Sequence, residues 1–273
     1  MKKRILRFLK RLPMLNLIRR VLYATQYPLK QLGKVIKWGF TSREDTNYTY
    51  DLSDDNMLFM AHFIAVVTGK QYKDVLTLFD EIQQDSSLRS HVLDEIKKSP
   101  LGRFADKEVR LARRIGWYAF VRIVKPKVVI ETGIDKGLGS VVLCAALLKN
   151  KEEGYIGKYY GLDINPEAGY LLSGKYTEVG EVLYNDSIES LKTFNEPIDL
   201  FINDSDHSLE YEYNEYKTIA HLLTDQSIIL GDNSHCSDKL ALFSQETNRR
   251  FLFFKEEPIN HWYEGAGIGV SFK

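Results

Sequence analysis

Cysteine is scarce: Cys144 and Cys236 are the only two in 273 residues. Two such residues make neither a disulfide framework nor a zinc spacing, and they suit a reducing cytoplasm. No apolar run approaches the roughly 20 residues that a membrane-spanning helix needs. Internal repeats and low-complexity tracts are missing as well. The last absence is local: no acid precedes Glu44. Twelve Lys or Arg stand before it, so a formal charge of zero divides into +12 over the first 43 residues and −12 over the rest. An acidic body argues against broad nucleic-acid binding. The length suits one large domain, or one domain with a smaller companion.

Residues 1–43 form a basic amphipathic segment. In "MKKRILRFLKRLPMLNLIRRVLY", Ile5, Phe8, Leu9 and Leu12 share one helical face, with Arg4, Arg7, Lys10 and Arg11 opposite. Pro13 should break or kink this helix, and Leu15, Ile18 and Leu22 repeat the pattern with Arg19 and Arg20 outside. Such a helix over residues 1–23 can lie in an anionic membrane interface, which would place a cytoplasmic chain peripherally on the inner face. A secretory signal fits poorly, since no uninterrupted apolar core precedes a small-residue cleavage site. An organelle presequence, or a helix packed on the body, stays open.

From residue 44 to 125 the pattern is helical and reads as an N-terminal cap subdomain. "NMLFMAHFIAVVTG" ends at Gly69, "YKDVLTLFDEIQQD" follows, "SLRSHVLDEIKK" ends before Pro100, and "DKEVRLARRIGWYAFVRIV" runs to Pro126. Arg110, Arg113, Arg114 and Trp117 recur at helical spacing. They could line a pocket for an anion, but a solvated basic face is the expected reading.

Past Pro126 the texture changes to short apolar runs separated by helical stretches. "KVVIE", "YYGLDI", "GEVLYND", "IDLFIND" and "SIILGDN" read as five strands of a parallel α/β sheet. "RRFLFFKEE" and "GIGVSF" follow with no helix-length gap between them, so that pair must be antiparallel or nearly so.

The chemistry-bearing residues gather where these strands end. In "VVIETGIDKGLGS", Gly133, Gly137 and Gly139 permit a tight turn, and the helix that follows presents free amides. The spacing differs from the dinucleotide fingerprint G-x-G-x-x-G, and Glu131 in the turn disfavours a pyrophosphate while suiting a cationic or zwitterionic cofactor. Asp163 ends the second strand, where a carboxylate can take both hydroxyls of a ribose. Asp186 ends the third, and it or Ser187 can reach an adenine edge. "FINDSDHSLEYEY" crowds Asp204, Asp206 and His207 where the fourth strand gives way to a helix; the plain alternative is a capped helix start.

Taken in order, "VVIETGIDKGLGS", "YYGLDINP", "GEVLYNDSIESL", "IDLFINDSDHSLEYEYNEY" and "IILGDN" resemble class I S-adenosylmethionine-dependent methyltransferases. The nearest subgroup is that of macrolide-sugar O-methyltransferases and cephalosporin-hydroxylase-like proteins, where a D-x-D-H segment follows the fourth strand. Asp135 departs from the pattern, standing where many members have a glycine. The resemblance covers residues 126–273 and implies a Rossmann-like methyltransferase sheet, mostly parallel with an antiparallel last strand. It implies Glu131 and the glycine turn near the methionine end, Asp163 on the ribose, and Asp186 with Ser187 near adenine. In metal-dependent relatives, acids and an Asn at the ends of strands four and five hold Mg²⁺; the matching residues here are Asp204, Asp232 and Asn233. His207 matches the general base of some sugar O-methyltransferases, beside Asp204. His235 and His261 are further near-site candidates.

The expectation is therefore an enzyme that methylates a hydroxyl of a sugar, glycan or other small hydroxylated substrate with S-adenosylmethionine, assisted by Mg²⁺. Two rivals are a nicotinamide-dependent oxidoreductase, which the glycine spacing disfavours, and a membrane-peripheral binding protein that has kept the cofactor fold.

Overall fold

The computed structural model describes residues 13–45 and 49–273. The first helix, α1 (Pro13–Thr41), begins on Pro13, a first-turn position where the missing N–H breaks no bond, and continues through Pro28. The predicted amphipathic piece ahead of Pro13 lies outside the described residues. Beyond Tyr23, Leu29, Leu32, Val35, Ile36 and Phe40 are all exposed and extend the apolar stripe, so the helix is longer than the pattern over residues 1–23 indicates. None of its residues is buried. Its link to the body runs through Trp38, whose ring meets His261 at 6.1 Å and Trp262 at 5.5 Å between centroids.

Caps define the next helices. Ser53 accepts a hydrogen bond from the Asn56 amide at the start of α2 (Asp54–Thr68), and Gly69 closes it in the left-handed conformation. α3 (Tyr72–Gln83) follows, and Asp85 caps α4 (Ser86–Lys98) by accepting from the Leu88 amide. The next helix corrects the sequence reading: α5 covers only Arg114–Val124. Its expected first half is irregular because Ala112 turns into positive φ (47°), and the Arg113 amide donates to the Glu256 carboxylate at 3.0 Å.

Seven strands form the main sheet: β1 (Val128–Thr132), β2 (Lys158–Asp163), β3 (Gly180–Tyr184), β4 (Ile198–Asn203), β5 (Leu223–Gly231), β6 (Arg250–Lys255) and β7 (Gly267–Phe272). Their order is β3-β2-β1-β4-β5-β7-β6. The first five run parallel, and β7 lies antiparallel to both β5 and β6, as the pairing argument requires. Helices α6 (Leu138–Glu152), α7 (Ser187–Leu191), α8 (Leu209–Ile219) and α9 (Lys239–Glu246) complete the crossovers.

The strands read as unbroken apolar runs because both faces are covered. Val129, Leu200 and Leu230 join one core, while Val128, Ile130, Phe201 and Ile229 join the other. The first core also holds Met60, Ile64, Val75, Phe79 and Trp117, so α2 to α5 share one apolar interior with the sheet and α6. Strand order reverses between β1 and β4, which makes their C-terminal ends the switch point where open α/β sheets bind ligands.

Candidate active site

Register builds the site. Thr132 lies opposite Asn203, and Asn203 opposite Gly231, so the residues that follow each, namely Gly133, Asp204 and Asp232, emerge side by side. On the other flank Thr132 pairs with Leu162 and Asp163 with Tyr184, which sets Asp163 and Asp186 beside the same opening. Gly133, Asp163, Asp186, Ser187, Asp204, Asp206, His207 and Asp232 all line one cleft of about 660 Å³, joined by Tyr50, Arg113, Arg114 and Tyr263. That volume is in the usual range for a small-molecule site.

The turn after β1 is laced to its neighbours. The Gly133 amide donates to Leu162 O at 2.8 Å, and Asp163 accepts from the Ile134 amide at 3.0 Å and the Asp135 amide at 3.3 Å. Asp135 sits at φ 44°, a left-handed conformation that Asp tolerates better than most residues. The departure from glycine thus keeps the backbone path a glycine would take. Gly137 opens α6 at φ 89°. Neither Gly137 nor Gly139 lines the cleft; a side chain on Gly139 would meet Glu131 and Trp117, so these two glycines serve packing.

Glu131, expected at the methionine end, lies beneath the turn instead of on the cleft wall. Its carboxylate accepts from the Tyr159 hydroxyl and, at 3.3 Å, from Ser140. Burial pushes its pKa up to about 7, against the opposing pull of the Tyr159 hydrogen bond and the Arg114 charge.

Asp186 caps α7 by accepting from the Glu189 amide at 3.0 Å, and its other oxygen takes the Tyr211 hydroxyl at 2.8 Å. Ser187 meets Tyr211 at 2.9 Å and donates to Glu215. Glu215 also receives Asn203 and Ser205 (2.6 Å), tying the ends of β4 and α7 together from below. Sequence reasoning missed this hub. The available signal was an acid one turn after Tyr211 on the helix that follows the D-x-D-H segment.

At the far wall, Asp206 accepts from the Ser208 amide at 2.7 Å and shapes the start of α8, which is the plain reading of that acid. His207 is exposed on the cleft rim. Asp204 faces Asp232, and burial together with that neighbouring charge raises its carboxyl well above the ordinary range. Arg113 and Arg114 correct the solvated-face expectation, being almost wholly buried and lining the cleft. Arg110 does lie partly exposed, paired with Asp51 at 3.4 Å. Arg113 forms an ion pair with Asp232 through Nε, and its Nη1 lies 3.4 Å from both Glu256 and the Tyr50 hydroxyl. Burial opposes the charge on Arg113, but Asp232 and Glu256 more than offset it.

The metal set expected from sequence fits this arrangement poorly. Asp204 and Asp232 are hard oxygen donors, but a guanidinium already lies on Asp232. Asn233 is fully buried, its amide makes no hydrogen bond, and it does not line the cleft. Among the described residues no group of three or more His, Cys, Asp or Glu side chains is placed to hold a metal ion. Of the other histidines, His235 is exposed off the cleft, with Nδ1 3.2 Å from Asp232 O. His261 is buried between Trp38 and Tyr50, and burial lowers its pKa.

Residues 130–234 match a family model described as a methyltransferase domain. Comparison with curated proteins gave no match. Among solved structures, an SAH-bound methyltransferase of Podospora anserina superposes with a TM-score of 0.50 at 17% identity, covering 68% of this chain and 87% of that one. An O-methyltransferase of Bacillus cereus in complex with SAH gives 0.47 at 14% identity, covering 72% and 96%. At 17% identity the likeness to the Podospora anserina structure is one of fold.

Proposed function

We propose that this chain, whose residues 130–234 match a methyltransferase domain, is a class I S-adenosylmethionine-dependent methyltransferase that methylates a hydroxyl oxygen of a sugar, glycan or other small hydroxylated substrate. The observation that carries the reading is the meeting, in one cleft, of Gly133, Asp163 and Asp186 with Asp204 and His207. When bound, S-adenosylmethionine supplies a methyl group on a sulfonium that leaves with the carbon–sulfur electron pair. Asp163 keeps carboxylate lone pairs beyond those given to the turn, and these suit ribose hydroxyls. Asp186 and Ser187 border the adenine end. The other wall, formed by Tyr50, Tyr263, Arg113, Asp204 and Asp232, is polar throughout and suits an acceptor rich in hydroxyls.

An alcohol is a poor nucleophile until its proton has somewhere to go. His207 takes that proton as the oxygen attacks in line with the departing sulfur, while Asp204 orients the hydroxyl. A nicotinamide reading is disfavoured by the glycine spacing, which is not that of the dinucleotide fingerprint. Calorimetric titration separates the two: S-adenosylhomocysteine binds and NAD does not. The reverse preference would remove the methyltransferase reading.

An anionic lipid surface is the second part of the proposal. Over Pro13–Thr41 the helix has no acid, Arg19, Arg20, Lys30, Lys34 and Lys37 share one side, and the exposed apolar stripe occupies the other. Trp38, through which the helix meets the body, projects from the basic side, so the stripe is left outward. No helix among the described residues is long and apolar enough to cross a membrane.

A further inference from the structure

Arg113 is held by a device that spans the chain. Ala112 adopts positive φ (47°) immediately before it, a conformation unfavourable for an L-residue that persists where surrounding contacts enforce it. Those contacts converge on Glu256. Its carboxylate receives the Arg113 amide at 3.0 Å and the Tyr50 hydroxyl at 2.9 Å, and the guanidinium lies alongside. Glu256 is itself fixed by Asn56, whose amide donates to Lys255 O and accepts from the Glu257 amide, both at 3.0 Å. The result is a buried guanidinium aimed from the residue that precedes α5 at the carboxylate pair that follows β4 and β5, with Nε on Asp232. Arginine suits such a place, since it stays charged and its fixed fork serves two carboxylates together.

We propose that Arg113 is the resident cation of the Asp204–Asp232 pair, supplying from within the chain the positive charge that a divalent ion would supply there. The site accordingly takes no divalent metal, and the charge facing the acceptor oxygen comes from a guanidinium held by Glu256. The assignment rests on the proposed methyl transfer only for the identity of the reaction; the charge arrangement stands without it. One feature favours an ion instead, the unpartnered amide of Asn233, and the experiment weighs it directly.

The test is titration of the full chain with Mn²⁺ alone, followed by electron paramagnetic resonance, with no cofactor or substrate present. Wild-type protein is expected to show no stoichiometric site. Arg113→Met, which removes the guanidinium paired with Asp232 and Glu256, is expected to bind Mn²⁺ at least about tenfold more tightly, as concentrated carboxylates do. One Mn²⁺ bound per wild-type chain, with that binding lost in Asp232→Asn, would overturn the proposal. So would an unchanged Mn²⁺ response in folded Arg113→Met. Should that variant not fold, wild type against Asp232→Asn decides alone, and neither readout depends on whether methyl transfer occurs.

Discussion

Gly133 and Asp204 are in backbone contact across the switch point. Gly133 has φ 73°, and a β-carbon built on it would overlap the Asp204 carbonyl and stand 2.6 Å from Ser205 Cα. The glycine turn after β1 and the acid-rich loop after β4 are therefore packed backbone to backbone, with no room for a side chain between them. Gly133→Ala is expected to cost more than about 2 kcal/mol of stability through strained backbone and forced separation. It should also weaken S-adenosylhomocysteine binding. Urea denaturation and calorimetry read the two effects, and an unaltered variant would mean the loops are free to part.

Asp163 holds the turn after β1 and is proposed to hold the ribose, and two substitutions separate these roles. Asp163→Ala removes both the charge proposed to face the ribose and the acceptor for the Ile134 and Asp135 amides, so S-adenosylhomocysteine affinity should fall by about 1–3 kcal/mol. Asp163→Asn keeps an acceptor for the turn and should lose less. Equal affinity in wild type and Asp163→Ala would place the ribose elsewhere.

Glu131 makes stability depend on pH in a stated direction. Below about pH 4.5 its carboxyl is protonated in folded and unfolded chains alike. Between 4.5 and about 7 only the unfolded chain ionises, so the folded state loses stability as pH rises, and above about 7 the loss is constant. Glu131→Gln should therefore gain on wild type across that window by up to about 3 kcal/mol. Denaturation at pH 5 and pH 8 measures the difference; a gap that stays constant between them would show that Glu131 ionises as freely folded as unfolded.

For α1, full-length protein should bind phosphatidylserine-containing vesicles, and added salt should release it as the charges are screened. Removing residues 1–41 should abolish this partitioning and leave S-adenosylhomocysteine affinity intact. If the truncated chain partitions as well as the full one, the stripe serves some other contact.

Much of the sheet was legible because strands covered on both faces must be apolar along their length, and "VVIET", "LFIND" and "IILGDN" show this plainly. The acids at their ends were legible for a related reason, since parallel register carries Asp163, Asp204 and Asp232 to one edge. Glu131 was misplaced: strand alternation turns it beneath the turn, and no local pattern marks that. Arg113 was misread because its burial depends on Glu256, 143 positions away, and on a left-handed alanine that periodicity cannot reveal. Asn233 follows Asp232 in the chain, yet the short helix after β5 turns it away from the cleft wall.

The most direct test is methyl transfer from labelled S-adenosylmethionine to glycan, lipid and small-molecule fractions of a cell extract, with the product's methylated atom identified by mass spectrometry. Wild-type enzyme should label an oxygen. His207→Ala should bind S-adenosylhomocysteine normally while transferring about 10²- to 10⁴-fold more slowly, the usual loss for a general base. Label on nitrogen or carbon, or full activity in His207→Ala, would contradict the account.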